Sequence, residues 1–213
     1  MEATHLPRLP SAGELVADGV VHALGVGLGL PAALALVAWT AFRDGHQLAP
    51  IVIYAAGLCA MFVCSAAYNV FRQSRRRAWL RRFDHAAIFA MIGGTYTPFT
   101  VLGLESIWSA ALTAVIWSIA GFGILAKLAQ PRWIEPISVG LYLALGWIGV
   151  IAIGPFLDSM GSTTLGLLGA GGVIYTAGVA FYLWQRLPYH NAIWHGFVLV
   201  AAGLHYGAVL TVV

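Results

Sequence analysis

An all-α membrane protein, a seven-transmembrane-helix bundle with its N-terminus cytoplasmic and its C-terminus outside, is the fold class that this 213-residue chain predicts. The first ground is composition: 60% of the residues are apolar and 9% charged, against about 45–50% and about 25% in soluble domains. The second is segmentation. Short polar breaks separate seven apolar runs, at roughly residues 19–42, 48–71, 79–103, 106–127, 134–156, 163–185 and 190–212, each meeting or exceeding the ~20 residues that cross ~30 Å of hydrocarbon. The third is charge placement under the positive-inside rule. With the N-terminus inside, Arg8, Arg72, Arg75, Arg76, Arg77, Arg81, Arg82, Lys127, Arg132 and Arg186 all lie inside and only Arg43 lies outside.

The runs are too long and too evenly apolar for barrel strands of ~10 alternating residues, so helices are expected. Together they occupy residues 1–213 as one membrane domain with no room for a soluble one. The opening MEATHLPRLPSAGE is polar and proline-bearing, unlike a basic region followed by an apolar core, so no cleaved leader is expected. A multi-pass protein of the cell inner (plasma) membrane follows. The net charge of +3 is explained by arginines beside spans, which hold topology and meet anionic lipid, so membrane lipid and not nucleic acid is the expected partner.

Span 1 begins with Glu14, Asp18 and His22, four residues apart and therefore on one helix face. Its run GVGLGLPAALALV superficially matches a dinucleotide fingerprint, but no strand precedes it and the region is membrane-apolar. Gly25, Gly27 and Gly29 there, like Gly169, Gly171 and Gly172 in span 6, suit close helix packing in lipid. Span 2 carries Cys59 and Cys64, about 140° apart on a helix and unable to bridge each other. Near its inner end are Ser65 and Asn69, again four apart. Span 3 opens on Asp84 and His85 directly after the arginine run, and span 7 opens on His190, Asn191 and His195. Spans 4 and 5 add little beyond hydroxyls and tryptophan.

Polar groups on spans 1, 2, 3 and 7 thus fall at one depth on the cytoplasmic side. Ionisable residues inside a membrane are costly and mark either a paired clamp or a functional site, and several at one depth favour a site in the bundle core. His205 lies ten residues beyond His195, about 15 Å along the helix, too deep to join that layer. It is expected to satisfy itself against a neighbouring span.

The segments GELVADGVVHALGVGLG, SAAYNVF, RRFDHAAIFAMIGGTYTPF and LPYHNAIWHGFVLVAAGLH resemble, in order and over essentially the whole chain, the signature segments of the hemolysin III proteins, the bacterial branch of the progestin and adipoQ receptor family. That resemblance implies a seven-helix bundle with a cytoplasmic N-terminus, related to presumed membrane hydrolases that act on lipid amides as ceramidases do. It also implies a zinc ion near the cytoplasmic face, held by one histidine of span 2 and two of span 7, with an aspartate of span 3 holding a water. Carried onto this chain, the metal positions are Asn69, Asn191 and His195, the water-holding carboxylate is Asp84, and Ser65 stands one turn before the first ligand.

Two of the three imidazoles are therefore asparagines, and a carboxamide oxygen is a poor ligand for an ion that prefers nitrogen and sulfur. His22, His85 and His190 are the substitutes within reach. His190 and His195 are five apart and face directions about 140° different, whereas Asn191 and His195 differ by about 40°. Three readings stay open: a zinc-dependent membrane amide hydrolase with an unusual ligand set, also framed as membrane homeostasis; a metal-free lipid-binding or sensing member in which Asn69 and Asn191 replace ligands; and a transporter or channel. Polar residues confined to the inner half argue against a continuous path and so against the last.

Overall fold

The computed structural model describes residues 10–43 and 45–213, so Arg8 lies outside the described residues. Eight α-helices follow in order: α1 (Ala12–Arg43), α2 (Leu48–Val70), α3 (Arg77–Leu102), α4 (Ser106–Ala129), α5 (Ile134–Gly146), α6 (Ile153–Ser159), α7 (Ser162–Leu183) and α8 (His190–Leu210). No strand occurs among the described residues. Among the described residues, six helical stretches are long and apolar enough to cross a membrane: α1, the stretch Gly45–Val70 containing α2, α4 from Ile107, Ile134–Ser159 (α5 through α6), α7 and α8.

The long helix outside that group is α3, whose first turns carry Arg77, Arg81, Arg82, Asp84 and His85. Its apolar part also includes threonines, yet Thr95, Thr97 and Thr100 are buried. Thr97 Oγ1 donates to the Gly93 carbonyl at 2.8 Å and accepts from Trp117 Nε1 at 3.0 Å. A helix shielded by protein can be more polar than one facing lipid, because its hydroxyls find partners instead of hydrocarbon.

Each long helix packs beside its neighbour in sequence, α3 between α2 and α4, and α8 packs on both α7 and α1. The first and last of the described helices therefore meet. Ser11 and Glu14 form a capping box at the start of α1, with the Glu14 N–H donating to Ser11 Oγ at 3.3 Å and the Ser11 N–H donating to Glu14 Oε2 at 2.6 Å. Glu14 Oε1 also accepts the Tyr189 N–H at 2.9 Å. Glu14 thus ties the start of α1 to the start of α8.

Glycines admit the bulkiest contacts. A Cβ on Gly25 or Gly29 would stand 2.8 or 2.5 Å from the ring of Phe62, so this pair is the socket through which α2 seats on α1. Gly57 meets backbone, with a Cβ there 2.8 Å from the Ala90 carbonyl oxygen and 3.2 Å from Met91 Cα. Gly57→Ala is accordingly expected to push α2 from α3 and cost about 1–3 kcal/mol. Gly166→Ala on α7, where a Cβ meets nothing within 4 Å, should hold or slightly raise the thermal midpoint in detergent, since alanine favours the helix over glycine. Equal midpoints for the two variants would refute this account of the α2–α3 contact.

The fifth apolar run, expected to be one helix, is interrupted by a 3-10 segment at Ile148–Ala152. Glycine lowers helical stability at 146, 149 and 154, and Pro155 has no N–H to donate. The break is satisfied from outside: Tyr96 Oη donates to the Gly146 carbonyl at 2.6 Å and accepts the Gly149 N–H at 3.1 Å. Cys59 and Cys64 are both free.

Candidate functional site

One end of the bundle gathers the start of α1, the end of α2, and the starts of α3 and α8. Asp18 and His22 face inward from α1, with side chains 2% and 6% exposed. The Nδ1–H of His22 donates to the Asp18 backbone carbonyl at 2.7 Å. That bond makes Nε2 the lone-pair nitrogen of the neutral ring, and Nε2 accepts from Ser65 Oγ at 3.1 Å and from Asn69 Nδ2 at 3.1 Å. Across from α1, His195 Nδ1 pairs with Asp18 Oδ1 at 2.6 Å, and the two imidazole rings meet edge to face with centroids 4.3 Å apart.

Asp18, His22 and His195 are the group among the described residues whose ligand atoms all lie within 4.8 Å of one another and could hold a metal ion. One carboxylate and two imidazoles fit a first-row divalent ion with a coordination position left open. A backbone carbonyl on His22 Nδ1 is also the outer-sphere partner that orients ligating histidines.

Asp18 has a second partner. Arg72, in the turn after α2, places Nη2 at 3.1 Å from Asp18 Oδ2 and 3.3 Å from Asn69 Oδ1, and its Nε–H donates to the Asn69 carbonyl at 2.9 Å. Held this way, the Asn69 amide turns its oxygen to Arg72 and its N–H to His22. It acts as a hydrogen-bond donor towards the imidazole.

The residues singled out in the sequence divide. Ser65, Asn69 and His195 come together with His22, and Asp84 of α3 faces Ser65 and His195, with Asp18 and Arg81 in its electrostatic surroundings. Asn191 and His190 instead line a cleft beside Asp18, Arg72 and Tyr189, and neither belongs to the metal-capable group. His85 turns away, since Lys127 Nζ donates to its Nδ1 at 3.4 Å and Tyr142 Oη donates to its carbonyl at 3.0 Å. His205 bonds the Leu168 carbonyl of α7 through Nε2 at 3.3 Å and packs beside Tyr175, the neighbouring-helix arrangement expected of it.

Two site members were not assigned as such from the sequence. In the sequence Asp18 shares a polar face with Glu14 and His22, and its i,i+4 spacing from His22 is the signal that marks it as a ligand candidate. Arg72 reads in the sequence as one topological charge among six arginines. A further cluster has no signature in the sequence beyond an inner-loop charge: Lys127 has a fully buried side chain bridged to Glu135 Oε2 at 3.2 Å, while Arg81 Nη2 lies 3.3 Å from Glu135 Oε1. This second cluster clamps α3, α4 and α5 at the same end of the bundle.

A family model described as Haemolysin-III related matches residues 14–206. The hemolysin-3 homolog of Bacillus subtilis (strain 168) is 31% identical over 198 residues, covering 92% of this chain and 93% of that protein. Hemolysin-3 of Bacillus cereus is 31% identical over 199 residues, covering 92% and 90%. The human monocyte to macrophage differentiation factor is 29% identical over 166 residues, covering 74% and 67%.

Proposed function

This chain belongs to the haemolysin-III related family, and we propose that it is a seven-span protein of the plasma (inner) membrane whose cytoplasmic-side site holds a divalent metal, zinc foremost, for hydrolysis of a lipid amide. The observation that carries this reading is the meeting of Asp18, His22 and His195 within 4.8 Å. In it, α3 is the seventh span, more polar than the rest because protein encloses it. Arg72, Arg75, Arg76, Arg77, Arg81 and Arg82 stand at the same end of the bundle as the site, which supports a cytoplasmic placement.

Asp18, His22 and His195 would hold the ion. When bound, a divalent ion of this kind acts as a Lewis acid and lowers the pKa of a water towards ~7. Ser65 lies between His22 Nε2, the nitrogen that would hold the ion, and Asp84, so with the ion in place its hydroxyl would turn to Asp84 and the two would be placed to orient a water and to take its proton. Asp18 fixes the ring of His195 through Nδ1. Asn69 serves as a positioning residue that steers Arg72 and His22.

A lipid substrate is supported by a cleft between α1 and α2 that runs from Leu15, Gly19 and Val70 to Asp18, His22 and Asn69. Val70 is 67% exposed on the outer wall, so the approach begins on apolar surface. A second reading, a metal-free lipid-binding protein, is favoured by the Arg72 guanidinium that already balances Asp18.

Metal content after chelator-free purification, measured beside turnover of an N-acyl lipid in vesicles, separates the two. The hydrolase reading expects about one ion per chain, lost in His22→Ala and His195→Ala, and turnover at least ~100-fold lower in Asp84→Asn, the scale of a removed acid or base. Metal-free wild-type protein that binds the lipid without turnover would establish the second reading instead.

A further inference from the structure

Asp18 has a side chain 2% exposed and Arg72 one 26% exposed, so the carboxylate is enclosed and the guanidinium reaches it from the rim. A buried carboxylate needs a counter-charge, which either a guanidinium or a metal ion can supply. The two cations would have to share one small group of oxygens and would repel each other there. Arg72 also lines both clefts that reach Asp18, the one bounded by Tyr189 and Asn191 and the one bounded by Gly19 and Val70. Leu15 and Asp18 line both clefts too, and Arg72 is the one cation among the residues the clefts share.

Arg72 is free to leave without unravelling a helix. It lies in the turn between α2 and α3, and its side chain is held by Asp18 and by the side chain and carbonyl of Asn69. When it withdraws, the carboxylate of Asp18 loses the cation that covers it, and Asn69 is released from its fixed orientation beside His22.

We propose that Arg72 is a tethered cation that closes the site: it occupies the charge position at Asp18 until a divalent metal displaces it, and so sets the metal affinity of the site and the access to it. This inference rests on the metal-site reading above. The electrostatic field of the basic turn is a separate effect, and Arg75, exposed in the same turn, is the control for it.

The test is titration of purified full-length protein in nanodiscs with zinc, using wild type, Arg72→Gln and Arg75→Gln. Arg72→Gln is expected to bind zinc at least ~10-fold more tightly than wild type, a difference of about 1.4 kcal/mol, with Arg75→Gln within about twofold of wild type. Unchanged or weaker binding in Arg72→Gln, with wild type still binding, would overturn the gate and leave the metal site standing. Equal tightening in both variants would assign the effect to the general field and overturn it as well. No binding in any of the three would remove the metal-site reading and this inference with it. Should Arg72→Gln fail to fold, hydrogen exchange in wild type decides: zinc is expected to raise exchange across residues 71–76, and unchanged or slower exchange there would refute displacement of Arg72.

Discussion

Asp18→Asn is expected to abolish metal retention and to destabilise the apo protein by about 3–5 kcal/mol, the scale for removing one partner of a buried ion pair. The carboxylate serves three groups at once: His195 Nδ1 at 2.6 Å, Arg72 Nη2 at 3.1 Å and, more distantly, His22 Nδ1 at 3.8 Å. Asparagine keeps the shape but removes the charge that balances the guanidinium. Arg72 opens to the rim and can recover some water, which places the expected cost at the lower end of that range. The double variant Asp18→Asn with Arg72→Gln should recover part of the loss, because the stranded charge is then gone. Thermal unfolding in detergent reads the comparison, and a double variant as damaged as the sum of the two single ones would show that the pair is not coupled.

The second large effect lies at the other cluster. Glu135→Gln is expected to lower stability by roughly 3 kcal/mol, the lower bound for a broken buried pair, since the Lys127 side chain is 0% exposed and Glu135 is 37% exposed. Lys127 would keep only uncompensated dipoles, the carboxamide oxygen of the new glutamine and His85 Nδ1 at 3.4 Å, with no counter-charge. Combining Glu135→Gln with Lys127→Met should restore most of the loss, as buried pairs replaced by apolar side chains often do. Arg81→Ala, by contrast, removes a guanidinium whose side chain is 46% exposed, and less than about 1 kcal/mol is expected. If Arg81→Ala proved the more damaging change, the buried lysine would not be the centre of this clamp.

The helices were legible because hydrocarbon forces each apolar stretch to satisfy its own backbone, and hydropathy records that demand directly. What hydropathy does not record is which helices touch. The layering of Asp18, His22, Asn69, Asp84 and His195 at one depth followed from spacing along each span, but their partners depend on α8 packing beside α1. Neighbouring residues separate for the same reason. Asp84 and His85 are adjacent in sequence yet about 100° apart around the helix, so one faces Ser65 while the other reaches Lys127 on α4.

The break between α5 and α6 shows the converse. Residues 134–156 are expected as one helix, and although Gly149 and Pro155 weaken it locally, the Tyr96 hydroxyl that satisfies the break comes from fifty residues away. Arg72 was hidden in a different manner. Among six arginines it differs in being three residues beyond Asn69, close enough to fold back onto the end of α2 and reach Asp18. The resemblance to hemolysin III proteins implies metal positions at Asn69, Asn191 and His195 with His22, His85 or His190 as substitutes; the geometry brings one of those substitutes, His22, to His195 together with Asp18, and puts Asn69 beside them as a donor.

Anomalous difference density at the zinc edge, from crystals of protein purified without chelator, tests the metal site most directly. The expected result is a single peak enclosed by Asp18, His22 and His195, with the Arg72 guanidinium moved away from Asp18. A map with no peak among those three residues, or with a peak bounded by Asn69, Asn191 and His195, would contradict it.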